Sequence, residues 1–69
     1  MILEVIDDGA FIGRDHETFV IRTKEKKLIV PAKKLDSINI SSNATISTAA
    51  IRLCLKDQIN LVISDKSGR

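Results

Sequence analysis

Residues 35–69, LDSINISSNATISTAAIRLCLKDQINLVISDKSGR, hold the pattern on which the fold turns. From Asp36 to Ile40 apolar and polar side chains alternate, with Ile38 and Ile40 inward and Ser37 and Asn39 outward, the period of a half-buried strand. Ser41-Ser42-Asn43 breaks that strand. Ser47 or Thr48 then offers a hydroxyl to an unpaired first-turn amide, a helix N-cap. A helix is expected from about residue 47 to 57. Ala50, Leu53 and Cys54 form its apolar stripe, Ile51 and Leu55 widen it, and Arg52 and Lys56 mark the wet side. Lys56 also suits the negative end of the helix dipole. Ile59 to Ile63 is almost wholly apolar, which suggests a strand covered on both faces. Strand, helix and strand joined this tightly make a βαβ unit with parallel strands.

Working outward, the first half reads as short strands between turns. Ile2 to Ile6 is followed by Asp7-Asp8-Gly9, an Asp-Gly hairpin signal, with Ala10 to Arg14 as the return strand. Gly13 marks a bulge or a close backbone approach. Asp15-His16-Glu17 makes a turn into a strand from Thr18 to Arg22, with Phe19 and Ile21 on one face. Thr23 to Lys26 turns again into Lys27 to Val30, which Pro31 must end or hold at a sheet edge. Apart from the βαβ unit, the strands are expected to be hairpin-linked and antiparallel. The fold class is a β-rich α+β domain, a small mixed sheet or sandwich with one helix.

Sixty-nine residues make one domain. Such a chain buries only roughly 60% of its extended surface, so its stability margin is thin. Cys54, the one cysteine, cannot make an internal disulfide, and the one histidine, His16, cannot complete a zinc site with it. Self-association, or a larger protein around this segment, is the expected reinforcement. The hydrophobic fraction of 43% excludes intrinsic disorder. No apolar run approaches the ~20 residues that span a bilayer, and MILEVIDDGA has no basic n-region, so neither membrane nor signal peptide is expected. A lone cysteine without a leader fits a reducing, cytoplasmic setting.

No catalytic arrangement emerges. His16, between Asp15 and Glu17, reads as a solvated turn residue rather than a general base or metal ligand. Asp7 and Asp8 read as turn formers, and Cys54 as a buried small hydrophobe rather than a nucleophile. Phosphate-loop and dinucleotide fingerprints are absent, since no helix follows Gly9 and Gly13 as they require. Ser47 and Thr48 could hold an anion at the helix start, but capping accounts for them. The net charge of +2 leans basic through Lys24, Lys26, Lys27, Lys33 and Lys34. That lean is compatible with nucleic acid, although a solvated lysine-rich turn explains it as well. Base stacking would need exposed rings, and only Phe11 and Phe19 are aromatic.

The ordered series Leu35-Asp36-Ser37-Ile38, Ile46-Ser47-Thr48 and Ser67-Gly68-Arg69 resembles the N-terminal β-strand domain of the CRISPR-associated Cas1 family, the spacer-acquisition integrases and endonucleases. Ile6-Asp7-Asp8-Gly9 with Phe11, Ile12 and Gly13 is similar to that family's first hairpin, so the resemblance covers essentially the whole chain. Gln58 departs from a helix-ending glycine and would have to take the left-handed conformation at a cost of about 1 kcal/mol, unless the helix ends another way. Asn60 replaces a frequent proline. The resemblance implies a single domain over 1–69, without the helical catalytic domain that carries the family's Mg²⁺ or Mn²⁺ ligands and without the last β-strand after Arg69. No catalytic or metal-binding residue can then be assigned here, and no cofactor is expected in this chain.

The implied role is dimerisation and assembly, as a homodimer that partners the protein Cas2 and holds a DNA duplex. Arg14, Lys24, Lys26, Lys27, Lys33 and Lys34 are the candidate phosphate contacts, which would position DNA without reading its sequence. The alternative is a free-standing nucleic-acid-binding or protein-interaction module without catalysis.

Overall fold

The computed structural model describes residues 1–65, so the turn anticipated at Gly68-Arg69 lies outside the described residues. Seven strands and one helix follow in order: β1 (Ile2–Val5), β2 (Phe11–Asp15), β3 (Thr18–Arg22), β4 (Lys27–Pro31), β5 (Ser37–Ile40), β6 (Thr45–Ile46), α1 (Thr48–Lys56) and β7 (Asn60–Ile63). A 3-10 turn, Ala32–Lys34, follows β4. The strands form a three-stranded sheet ordered β1-β5-β7 and a four-stranded sheet ordered β4-β3-β2-β6. The β-rich α+β class is observed.

The β2–β3–β4 meander forms as its turns dictate. At the first turn His16 takes φ 57, while Thr18 Oγ1 donates to the Asp15 carbonyl at 2.6 Å. A positive φ costs a non-glycine residue roughly 1–2 kcal/mol, which the strand pairing on either side offsets. At the second turn Thr23 Oγ1 accepts from the amides of Glu25 (3.4 Å) and Lys26 (3.2 Å), a side-chain turn that closes the loop. Pro31 ends β4, and β4 is an edge strand, so the missing amide costs no ladder bond.

The expected β1–β2 hairpin at Asp7-Asp8-Gly9 does not form. β1 pairs in parallel with β5, starting at Ile2 opposite Ser37, and β2 pairs in parallel with β6, Phe11 opposite Thr45. The segments around residues 2–12 and 37–46 therefore run side by side throughout, bending together from one sheet into the other. Their connecting loops are stitched at the corner: the Gly9 amide donates to the Asn43 carbonyl at 2.7 Å, and the Asn43 amide to Asp8 Oδ1 at 3.0 Å. Gly9, at φ 83, supplies the bend. Asp-Gly was thus a turn signal used for a corner, and the expectation of antiparallel pairing outside the βαβ unit holds for β2–β3 and β3–β4 but fails at the β1–β5 and β2–β6 pairings.

β5 and β7 are parallel, with Ser37 opposite Asn60 and Ile40 opposite Ile63, and α1 lies in the connection between them. Ser47 is the N-cap, its Oγ accepting from the Ala50 amide at 3.1 Å. At the other end Gln58 takes φ 56, the left-handed one of the two exits considered for it, and the Ile59 amide closes on the Cys54 carbonyl at 2.8 Å. Ala50, Leu53 and Cys54 are buried as the helical stripe requires, but Leu55 is 76% exposed and does not widen it.

One core joins both sheets and the helix. Val5, Ile38 and Ile40 meet Ile12, Phe19, Ile21 and Val30, with Leu53 and Cys54 closing one side. Phe19, Ile12, Ile38 and Leu53 are its largest fully buried side chains. β7 is not covered on both faces. It is an edge strand, and Val62 and Ile63 stand exposed on it.

Candidate nucleic-acid interface

The candidate phosphate contacts fall into four separate places. Arg14 is turned inward along the edge of β2 and is held by its own surroundings: Nε donates to the His16 carbonyl at 2.7 Å, and an Nη donates to Glu17 Oε2 at 3.4 Å. Its other Nη reaches the Ala49 carbonyl at 3.5 Å. With its side chain only 23% exposed, Arg14 braces the β2–β3 turn against α1.

Lys24 and Lys26 sit on the β3–β4 turn, beside the Asp7-Asp8 corner. Together with Thr23 and Glu25 these residues line a cleft of about 290 Å³. Three carboxylates therefore share this end of the molecule with the two lysines, a mixed-sign environment that softens its pull on a polyanion. Lys33 and Lys34 lie on the 3-10 turn at the far end of β4. At roughly 3.3 Å per residue, that strand holds the two lysine groups about 15 Å apart. The structure does not gather the six residues into one patch.

Lys27 belongs to a different surface, the outward face of the four-stranded sheet, where it is directly opposite Arg22. Neither Arg22 nor any of these five lysines is in an ion pair among the described residues. Arg22 was missed in the sequence because it ends a strand rather than joining a charge run. Counting back from the Thr23–Lys26 turn would have placed it across from Lys27. Phe11 lies in the same row, 41% exposed, whereas Phe19 is fully buried.

Catalytic chemistry has little to draw on. His16 Nδ1 lies 2.7 Å from Asp15 Oδ1, but both side chains are exposed and no third group converges on them. No group of three or more His, Cys, Asp or Glu side chains that could hold a metal occurs among the described residues. Burial of Cys54 pushes its thiol up from the ordinary 9.0, so it stays protonated and unreactive. Glu17 is the best-connected carboxylate. Lys56 Nζ donates to its Oε1 at 2.8 Å, and that bond, with Arg14 beside it, holds the carboxyl below its ordinary 4.5. The Ser47 hydroxyl is committed to its cap. No helix among the described residues is long and apolar enough to cross a membrane.

A three-stranded parallel sheet and a four-stranded mixed sheet packed on one core with a capped helix define a small β-rich α+β domain, and no catalytic constellation is gathered among its described residues. The chain belongs to the family of the CRISPR associated protein Cas1, whose profile matches residues 3–69. Among solved structures, it is similar to a chain of a partial Cas6-RT-Cas1–Cas2 complex (20% identity, TM-score 0.92, covering 100% of this chain and 21% of that one). A Cas1 protein from Thermotoga maritima shares 12% identity at a TM-score of 0.84, over 99% of this chain and 22% of that one. The Cas1 of a TtCas1–DNA complex shares 19% at 0.73, over 88% and 24%. The chain thus spans about a quarter or less of the length of each of these structures. No curated protein matches the sequence.

Proposed function

We propose that this chain is the N-terminal β-strand domain of a Cas1 spacer-acquisition integrase, serving dimerisation and assembly in the cytoplasm and performing no catalysis by itself. The observation that carries the reading is the family match over residues 3–69, joined to a fold that recurs within chains four to five times longer. In the longer protein a separate helical domain would supply the Mg²⁺ or Mn²⁺ chemistry, while this domain would hold the assembly together. Two of the similar structures are complexes, one containing Cas2 and one containing DNA, which supports those two as partners. Lys24, Lys26, Lys33 and Lys34 are the open cations for a duplex backbone. Lys27 and Arg22 share the sheet face, and Arg14 acts as a brace.

The test is direct. Sedimentation of the 69-residue chain should show self-association, and incubation with duplex DNA and Mn²⁺ should leave the DNA intact. Metal-dependent cleavage by the purified chain would overturn the reading. The exposed, unpaired Arg22 and Lys27 favour a second reading, a free-standing nucleic-acid-binding module. It requires tight DNA binding whose log-affinity falls by about 0.9 per phosphate contacted for each unit of log salt. Weak, salt-insensitive binding would remove it.

A further inference from the structure

Four segments of the chain meet around Glu17, on the β2–β3 turn. Its Oε1 accepts from Lys56 Nζ at 2.8 Å, in the last turn of α1. Its Oε2 accepts from an Nη of Arg14 on β2 at 3.4 Å. Its backbone carbonyl accepts from the Ala32 amide at 3.0 Å, which brings the 3-10 turn with Lys33 and Lys34 to the same corner. The neighbouring acid, Asp15, is taken up by His16 Nδ1 at 2.7 Å. One carboxylate therefore touches two cations, and two more stand on the adjoining turn. The Lys56 and Glu17 side chains are each about half exposed, so the junction is open to a ligand from solvent. At the other end of the β3–β4 hairpin the balance is reversed, since Lys24 and Lys26 share their cleft with Asp7, Asp8 and Glu25.

We propose that the Glu17 carboxylate is a built-in counter-ion standing where a backbone phosphate goes, and that a nucleic acid strand displaces it on docking against Arg14, Lys33, Lys34 and Lys56. The inference rests on the reading of DNA as a partner and says where the backbone lies and what restrains it. Carboxylate and phosphate oxygens accept from the same ammonium and guanidinium donors at similar distances, so one replaces the other without rebuilding the corner. Arg14 stays in place during the exchange, because its bonds to the His16 and Ala49 carbonyls do not involve Glu17. Lys56 is the cation that changes partner. The exchange gives up a surface ion pair of small worth, while each phosphate neutralised releases condensed counter-ions. Glu17 thus lowers the affinity of the corner without abolishing it. Lys24 and Lys26, held among three carboxylates, contribute less to the same backbone.

The test separates this corner from charge in general. Binding of a fluorescent DNA duplex to the 69-residue chain is followed by anisotropy over a salt series, with circular dichroism confirming the fold of each variant. E17Q should bind about threefold or more tighter than wild type, with a salt slope steeper by up to about 0.9, the value of one further phosphate contact. E25Q removes the same charge at the opposite end and should change affinity less. The gain should vanish in the double variant E17Q/K56M, because the released cation is then missing. K33Q/K34Q should weaken binding more than K24Q/K26Q does. If wild type binds and E17Q is no tighter than E25Q, the counter-ion role is overturned and the DNA reading stands. If K24Q/K26Q is the more damaging pair, the placement of the backbone is overturned. If neither wild type nor E17Q binds the duplex at any salt concentration, the DNA reading itself falls, and this inference with it.

Discussion

The two sheets are built from different kinds of information. The four-stranded sheet takes three of its strands from one continuous stretch, β2–β3–β4, linked by turns whose residues specify them locally. The three-stranded sheet takes one strand from the start of the chain, one from the middle and one from the end, all parallel. Its pairings close loops of more than thirty residues between β1 and β5, a cost in chain entropy that only the finished core repays. The parallel sheet is therefore the dependent partner. Its inward side chains Ile38, Ile40 and Val5 are buried only by sharing one core with Phe19, Ile12 and Val30 of the other sheet.

The largest expected effect breaks that dependence open. Phe19→Ala removes a fully buried ring from the centre of the four-stranded sheet, at a cost of about 3–5 kcal/mol. A domain of this length has a stability of only a few to about ten kcal/mol, so most of it is consumed. The parallel sheet should be lost in the same urea transition. Ile38→Ala, in the middle strand of the parallel sheet, should cost about 2–5 kcal/mol. Here amide exchange should show the β2–β3–β4 amides losing protection last. Protection that outlasts unfolding in β5 and β7 but vanishes from β3 would reverse the order of dependence.

The same contrast decides how much was legible in the sequence. The turns at Asp15-His16-Glu17 and Thr23–Lys26 and a hydroxyl cap at Ser47 or Thr48 depend on residues within a few positions of one another and were readable, whereas the exit at Gln58 stayed open between a left-handed residue and another ending. β1's partner was not readable, because an Asp-Gly pair serves a corner between sheets as well as a hairpin, and the choice lies with Asn43, far along the chain. β6 is two residues long and carries no periodicity. β7's apolar run looked doubly covered because composition cannot distinguish a buried strand from an edge whose apolar residues stand exposed. At the candidate site, the lysine run was legible as charge, but its division by β4 and its mixing with Asp7 and Asp8 are consequences of tertiary structure.

A middle-sized effect sharpens the comparison at the helix, which leaves the four-stranded sheet at β6 and delivers the chain to β7. Ser47→Ala removes the cap that starts this passage and should cost about 1 kcal/mol, read as a lower urea midpoint with unchanged slope. Gln58→Gly should move the other way by up to about 1 kcal/mol, since φ 56 strains any residue with a Cβ. A destabilised Gln58→Gly would mean that the side chain, and not the backbone angle, supports the entry into β7.

The smallest effect tests the strap between the two halves. Glu17, on the β2–β3 turn, receives Lys56 from the last turn of α1, and Arg14 stands beside it. Its carboxyl is held below its ordinary value, chiefly by the Lys56 hydrogen bond. A group depressed in this way contributes stability that is fully present above its unfolded value of 4.5 and is lost as pH falls through the lower, folded value. The pair lies at the surface, where solvent and salt screen it, so the loss is modest and shrinks as salt is added. Melting temperatures recorded from about pH 6 down to about pH 3 should fall less steeply in Glu17→Gln than in wild type. Lys56→Met should flatten the same limb, because it removes the main cause of the shift. If Lys56→Met leaves the acid limb as steep as in wild type, the carboxylate is stabilised through Arg14 alone. The helix is then tied to the hairpin sheet by its buried stripe, without help from charge.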